Sequence, residues 1–139
     1  MKLKKLRSSA EVNINIGKYR ADWNRPCRSQ FQYDVKQWFR RFWSSQICLE
    51  EFRIPGSLLR VDLVNLNKRM LVEINGAQHD AFNKHFHSGN RVNFLKQITR
   101  DSLKREWAED NGFLMVEITP DDMPLSREFF REKYGVDII

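Results

Sequence analysis

Residues 58–80 read LLRVDLVNLNKRMLVEINGAQHD, and this stretch decides the fold. LLRVDLVN (58–65) and RMLVEIN (69–75) are short runs rich in Val, Leu and Ile, separated by a polar turn at Asn67-Lys68. Two such runs so close together predict a β-hairpin. A third run, ICLEEFRI (47–54), precedes them across a Pro55-Gly56 turn, so the three read as an antiparallel meander. Upstream, Phe31, Val35, Trp38, Phe39 and Phe42 recur at three- and four-residue steps behind Ser29. That spacing predicts a helix whose aromatic stripe is core, with Lys36, Arg40 and Arg41 off the stripe. Downstream, 76–90 is a polar loop, followed by a long helix from about Arg91 to Asp110. Val92, Leu95, Ile98, Leu103 and Trp107 give that helix an apolar stripe, and Asn111-Gly112 stops it. FLMVEIT (113–119) is a further strand, expected to pair in parallel because a helix leads into it. A short helix near 124–134 completes an α-β-β-β-α-β-α order. The fold class is α/β, with a mixed central sheet flanked by helices.

The chain of 139 residues is the size of one domain, able to bury roughly two thirds of the surface exposed when unfolded. No apolar run approaches the ~20 residues of a membrane span, and the basic start MKLKKLR lacks the apolar core of a secretory signal. Cys27 and Cys48 form no CxxC and no disulfide framework, so a reducing, cytoplasmic setting is expected. His85 and His87 raise a zinc site with these cysteines, but no second ligand pair stands at finger-like spacing.

Charge is unevenly divided. Residues 1–45 carry eleven lysines and arginines against Glu11, Asp22 and Asp34, whereas the remainder is slightly acidic. Residues 1–28 therefore read as a basic N-terminal arm, and 29–139 as the core domain. Lys2, Lys4, Lys5, Arg7, Lys18, Arg20, Arg25 and Arg28 are the candidate phosphate contacts of that arm. Tyr19 and Trp23, interleaved among them, are assigned to anchoring the arm on the core. Val12, Ile14 and Ile16 alternate and suggest a short strand within it.

Asp62 lies between Val61 and Leu63, and Glu73 between Val72 and Ile74, in strands that should be buried. Side chains alternate along a strand, so Leu71, Glu73 and Asn75 share a face, and a hairpin brings Asp62 into the same region. Carboxylates in such strands cost desolvation and repel one another; a shared cation resolves both, and oxygen ligands with open water positions suit Mg²⁺. The alternative is a solvent-facing edge where they pair with Arg60 or Arg69. On the long helix Arg100, Asp101 and Lys104 stand at i, i+1 and i+4. They read either as groups reaching a phosphate or as a solvated face with an Asp101–Arg105 pair.

With these motifs the stretch from about 29 to 119 resembles nucleases related to the very-short-patch repair endonuclease, a branch of the PD-(D/E)XK superfamily that includes the EDxHD homing endonucleases of phages and introns. The resemblance rests on Arg60-Val61-Asp62-Leu63, Leu71-Val72-Glu73-Ile74-Asn75-Gly76-Ala77-Gln78-His79, Arg100-Asp101-Ser102-Leu103-Lys104 and Glu109-Asp110-Asn111-Gly112-Phe113. It implies a restriction-endonuclease-like core and a metal-dependent endonuclease hydrolysing phosphodiester bonds in duplex DNA, site-specific in the manner of homing enzymes. Asp62 and Glu73 would be the metal-binding acids, with Mg²⁺ replaceable by Mn²⁺. Asn75 stands where the superfamily places a lysine, a departure from its pattern. His79 would act as general base or orient the attacking water. Asp80 or Asp101 would be the final acid, with Lys104 as a further catalytic candidate. The upstream acidic residue stays open between the Gln32/Asp34 region and Glu50/Glu51. A homodimer or higher homo-oligomer is expected for cutting both strands, and a phage-encoded origin fits the branch. Two other readings remain: an inactive nuclease-fold module that only binds DNA, motivated by the absent lysine, and an RNA-directed nuclease.

Overall fold

The computed structural model describes residues 1–76 and 91–139. Its main sheet has the order β3-β4-β5-β6, made of β3 (Cys48–Arg53), β4 (Arg60–Asn65), β5 (Met70–Ile74) and β6 (Leu114–Ile118). The first two junctions are antiparallel and the β5–β6 junction is parallel, with Glu73 opposite Glu117. The meander and the parallel fourth strand are thus those expected from the spacing. Asp62 and Glu73 lie on the two central strands, so the solvent-edge alternative with Arg60 or Arg69 as counterions does not hold.

One face of the sheet is covered by α1 (Gln30–Trp43) and the C-terminal α3 (Arg127–Tyr134). Ser29 caps α1 by accepting the Gln32 amide, and its stripe buries Val35, Phe39 and Trp43 completely against Leu63, Val72, Val116 and Phe130. The final helix starts at Arg127 behind its Ser126 cap, three residues later than the periodicity suggested, and is closed by Gly135 in the left-handed conformation.

The opposite face holds Leu49, Phe52, Val61, Leu71 and Met115 under Trp107 and Ala108, from the last turns of α2 (Arg91–Asp110). Only that end of the expected apolar stripe is core. Val92, Leu95 and Ile98 are 62%, 49% and 48% exposed, because the first turns of α2 extend past the apolar part of the sheet.

The basic arm is itself folded onto this face. β1 (Lys2–Lys4) pairs with β2 (Glu11–Asn13), matching Leu3 with Val12, and Leu3 is buried beside Trp107. The Trp107 indole N–H donates to the Lys4 carbonyl at 2.7 Å, and the Lys4 amide donates to Asn111 at 2.8 Å. Leu6 donates to the Pro55 carbonyl at 2.8 Å. Gly56 is needed there twice over: its φ is +80°, and a Cβ would sit 3.1 Å from that of Lys5. Tyr19 makes an edge-on contact with Phe52 at 5.1 Å, and Trp23 packs against the α1 side.

Candidate active site

The two central strands part where Asp62 stands. Paired residues between β4 and β5 run from Asn65–Met70 to Leu63–Val72 and stop one step short of Asp62 and Glu73. Instead the Ile74 amide donates to Asp62 Oδ2 at 2.8 Å, so a side-chain carboxylate replaces the next rung of the ladder. On its other side β5 continues, with the Asn75 amide donating to the Ile118 carbonyl at 2.9 Å. Glu73 is therefore held by an intact parallel rung on the β6 side, at the step where its ladder with β4 has ended.

A second irregularity faces Asp62 from β3. The β3–β4 register pairs Glu50 with Leu63 and resumes at Phe52 with Val61, leaving Glu51 and Asp62 opposite one another at the skipped step. Glu51 has φ +49°, a left-handed conformation that costs a non-glycine residue about 1–2 kcal/mol. The kink lets Glu50 and Glu51 both turn toward α1. Glu51 accepts from the Gln32 side chain at 3.3 Å, whereas Glu50 is buried beside Lys36 at 2.8 Å. Asp34 points elsewhere, accepting from Gln30 at 2.8 Å. Of the positions left open for an upstream acid, Glu51 and Gln32 meet the Asp62 neighbourhood, while Asp34 and Glu50 are engaged in other contacts.

Electrostatics singles out the same residues. Burial pushes the Asp62 carboxyl up, and Glu51 adds to this, against the Ile74 amide and the positive charges of Lys104 and Arg28. Glu73 is pushed up to about 7, first by burial and then by the charge of Asp62, against Lys104. Lys104, projecting from α2, lies 3.1 Å from Glu73 Oε2, with both side chains mostly buried. Glu73 Oε1 is buried and finds no hydrogen-bond partner among the described residues. Asp101 is raised by burial and by Glu117, and accepts from Gln97 at 3.3 Å. Arg100 is exposed, so the charged trio on α2 divides: Asp101 and Lys104 turn toward the sheet and Arg100 away.

His79 and Asp80, the remaining sequence-expected site residues, lie outside the described residues, as do His85 and His87. Among the described residues no three His, Cys, Asp or Glu side chains converge as a metal cage. The donors present nonetheless fit a divalent cation: two carboxylates that repel each other, one with a buried oxygen unpartnered among the described residues, are relieved by positive charge placed between them. Cys48 sits in the α1-side core, its thiol pushed up to about 12 by burial, and is inert there.

Sequence reasoning missed a buried cluster next to this site. Lys36, off the aromatic stripe, is only 3% exposed, because residues 22–25 of the arm close over it. The only signal for it was Glu50 beside Glu51, two acids at the centre of an otherwise apolar strand.

No family model matches the chain, and no solved structure does. Two proteins of invertebrate iridescent viruses are similar to part of it. The uncharacterized protein 033L of Invertebrate iridescent virus 3 is 40% identical over 65 residues, covering 47% of this chain and 33% of that protein. The uncharacterized protein 307L of Invertebrate iridescent virus 6 is 40% identical over 68 residues, covering 48% and 34% respectively. The chain thus matches about a third of the length of these relatives. No helix among the described residues is long and apolar enough to cross a membrane.

Proposed function

We propose that the chain is a divalent-metal-dependent endonuclease that hydrolyses phosphodiester bonds in duplex DNA, on a restriction-endonuclease-like core. The observation that carries this reading is the incomplete pair Asp62 and Glu73. They stand on adjacent central strands where the ladder ends, both carboxyls are pushed up, and Glu73 Oε1 lacks a partner among the described residues. Buried acids arranged at such cost are a mark of functional sites. The α-β-β-β-α-β-α order and the parallel last strand support the resemblance to the very-short-patch repair branch. Partial similarity to iridescent-virus proteins supports a viral or phage origin.

Asp62 and Glu73 would hold Mg²⁺, which when bound polarises the phosphate and lowers the pKa of an attacking water. The chain's own groups do the rest. Asp62 is fixed by the Ile74 amide through Oδ2, which preorganises the carboxylate and leaves Oδ1 to serve a cation. Lys104, 3.1 Å from Glu73, orients that carboxylate and brings positive charge toward the phosphate from the α2 side. It stands in for the lysine that Asn75 replaces. His79, which follows β5, would accept the proton of the water as neutral imidazole, its ordinary pKa lying near working pH. The eight bases of the arm would contact phosphates, and a homodimer would cut both strands.

Incubating supercoiled plasmid with the protein and Mg²⁺, with and without EDTA, tests this reading. Nicking or linearisation that EDTA blocks is expected, with loss of roughly a thousandfold in rate for Asp62→Ala or Glu73→Ala. Binding without metal-dependent cleavage would favour the inactive DNA-binding module, and cleavage confined to RNA the RNA-directed nuclease.

A further inference from the structure

The cluster under the arm has a place in the fold that the proposed chemistry does not explain. The Lys36 ammonium is buried on α1 and makes three contacts. It donates to the Asp22 carbonyl at 2.6 Å and the Arg25 carbonyl at 3.0 Å, and pairs with Glu50 at 2.8 Å. Glu50 in turn accepts from the Asp22 amide at 2.9 Å and meets the Arg25 guanidinium at 3.2 Å. Both ends of segment 22–25 are therefore gripped by backbone and side chain together. The segment leads through Cys27 and Arg28 straight into Ser29, the cap that accepts the Gln32 amide. The Gln32 side chain reaches Glu51, which stands opposite Asp62. Arg28, exposed, is thus set one residue from a capped helix start whose first turn reaches Glu51, the residue opposite Asp62.

We propose that the buried Lys36–Glu50 pair is a positioning device that fixes segment 22–25 so that Arg28 grips a DNA phosphate on the Asp62 side of the carboxylate pair. The proposal rests on the endonuclease reading for the identity of the ligand. Lys36 and Glu50 touch no substrate; they act through Arg28. A backbone clamp with three acceptors on one ammonium costs desolvation that an apolar side chain would avoid, and such placement is useful only where the held segment must not move. Arg28 is near enough to Asp62 for its positive charge to favour the ionised carboxylate, after the larger effects of burial, Ile74, Glu51 and Lys104. A guanidinium also suits a phosphate, which it can bind through two parallel N–H groups.

The test measures binding of a short fluorescent DNA duplex as a function of salt, in Ca²⁺ in place of Mg²⁺ to suppress cleavage. The slope of log affinity against log salt counts phosphate contacts at about 0.9 each. Arg28→Ala is expected to reduce the slope by about 0.9. The double variant Lys36→Met/Glu50→Gln, which removes both buried charges at once, is expected to reduce it by the same amount although neither side chain reaches solvent. Combining it with Arg28→Ala is expected to change nothing further. Should Lys36→Met/Glu50→Gln fail to fold, as judged by circular dichroism, Glu50→Gln alone replaces it in the same cycle. A folded clamp variant with the wild-type slope, or additive losses in the combination, overturns the proposal. So does wild-type protein that binds no duplex at low salt. Binding with the expected cycle but no Mg²⁺-dependent cleavage would overturn the endonuclease reading and leave the clamp standing.

Discussion

On one side of the sheet Lys36 meets Glu50 at 2.8 Å; on the other Lys104 meets Glu73 at 3.1 Å. Both are lysine–glutamate pairs reaching from a helix to a strand, and both are largely withdrawn from water. They differ in completeness. Around Lys36 and Glu50 the ammonium has three acceptors, and both glutamate oxygens are taken by Lys36, Arg25 and the Asp22 amide. Around Lys104 and Glu73 one glutamate oxygen has no partner among the described residues, and a second acid, Asp62, presses on the same carboxylate. A buried pair with every bond made can only hold structure together. A buried pair left one bond short, beside a like charge, is poised to take up a proton or a cation.

The largest effect that separates them is on stability. Lys36→Met leaves Glu50 buried with less than its full set of partners and is expected to cost about 3 kcal/mol in denaturant unfolding. Lys104→Met is expected to cost about 1 kcal/mol near pH 6, because Glu73 then simply keeps its proton. Equal losses would break the distinction. A smaller effect comes from ligand. Saturating Mg²⁺ or Mn²⁺ is expected to raise stability by about 2.7 kcal/mol at a hundred times the dissociation constant. The gain should vanish in Glu73→Gln and persist in Glu50→Gln, as read from melting with and without the metal.

Smaller again is the pH dependence without metal. Glu73 holds its proton up to about 7 when folded, against 4.5 ordinarily, so between those values the unfolded chain binds fewer protons than the folded one. Stability is then expected to fall as pH rises through that window, by about 1–3 kcal/mol, with Asp62 contributing in the same direction. Glu73→Gln should flatten the curve and stabilise the protein at neutral pH while abolishing cleavage. A flat wild-type curve would mean that Lys104 already satisfies Glu73. Last, Ser29→Ala removes the cap between the clamp and the carboxylate pair and is expected to cost about 1 kcal/mol, measured by thermal unfolding.

Much of this architecture was legible before any coordinates. The meander, both long helices and the parallel last strand followed from periodicity and turn residues, because those signals are local. The carboxylates on the central strands were legible too, since an acid flanked by Val, Leu or Ile breaks the pattern that burial requires. The misreadings have one cause. The stripe on α2 continues through Val92, Leu95 and Ile98 in sequence, yet the apolar sheet ends beneath Trp107 and Ala108. Lys36 falls outside the stripe of α1 and is buried all the same, because segment 22–25 covers it. Neither the end of a neighbouring surface nor the path of a distant segment is written in the periodicity of one helix.

The sequence by itself determined which residues prefer helix or strand, where the turns fall, and that Asp62 and Glu73 bear charge in apolar surroundings. Those properties belong to residues and their nearest neighbours along the chain. Only the tertiary structure decided that β4 parts from β5 at Asp62, that Glu51 rather than Asp34 or Glu50 comes up beside it, and that Lys104 reaches Glu73 from α2. It also decided that a basic arm is docked on the core, with segment 22–25 gripped by Lys36 and Glu50. Such pairings join residues tens of positions apart. They exist because packing two helical layers onto one sheet leaves few places for a buried charge, and each such charge must find its partner there.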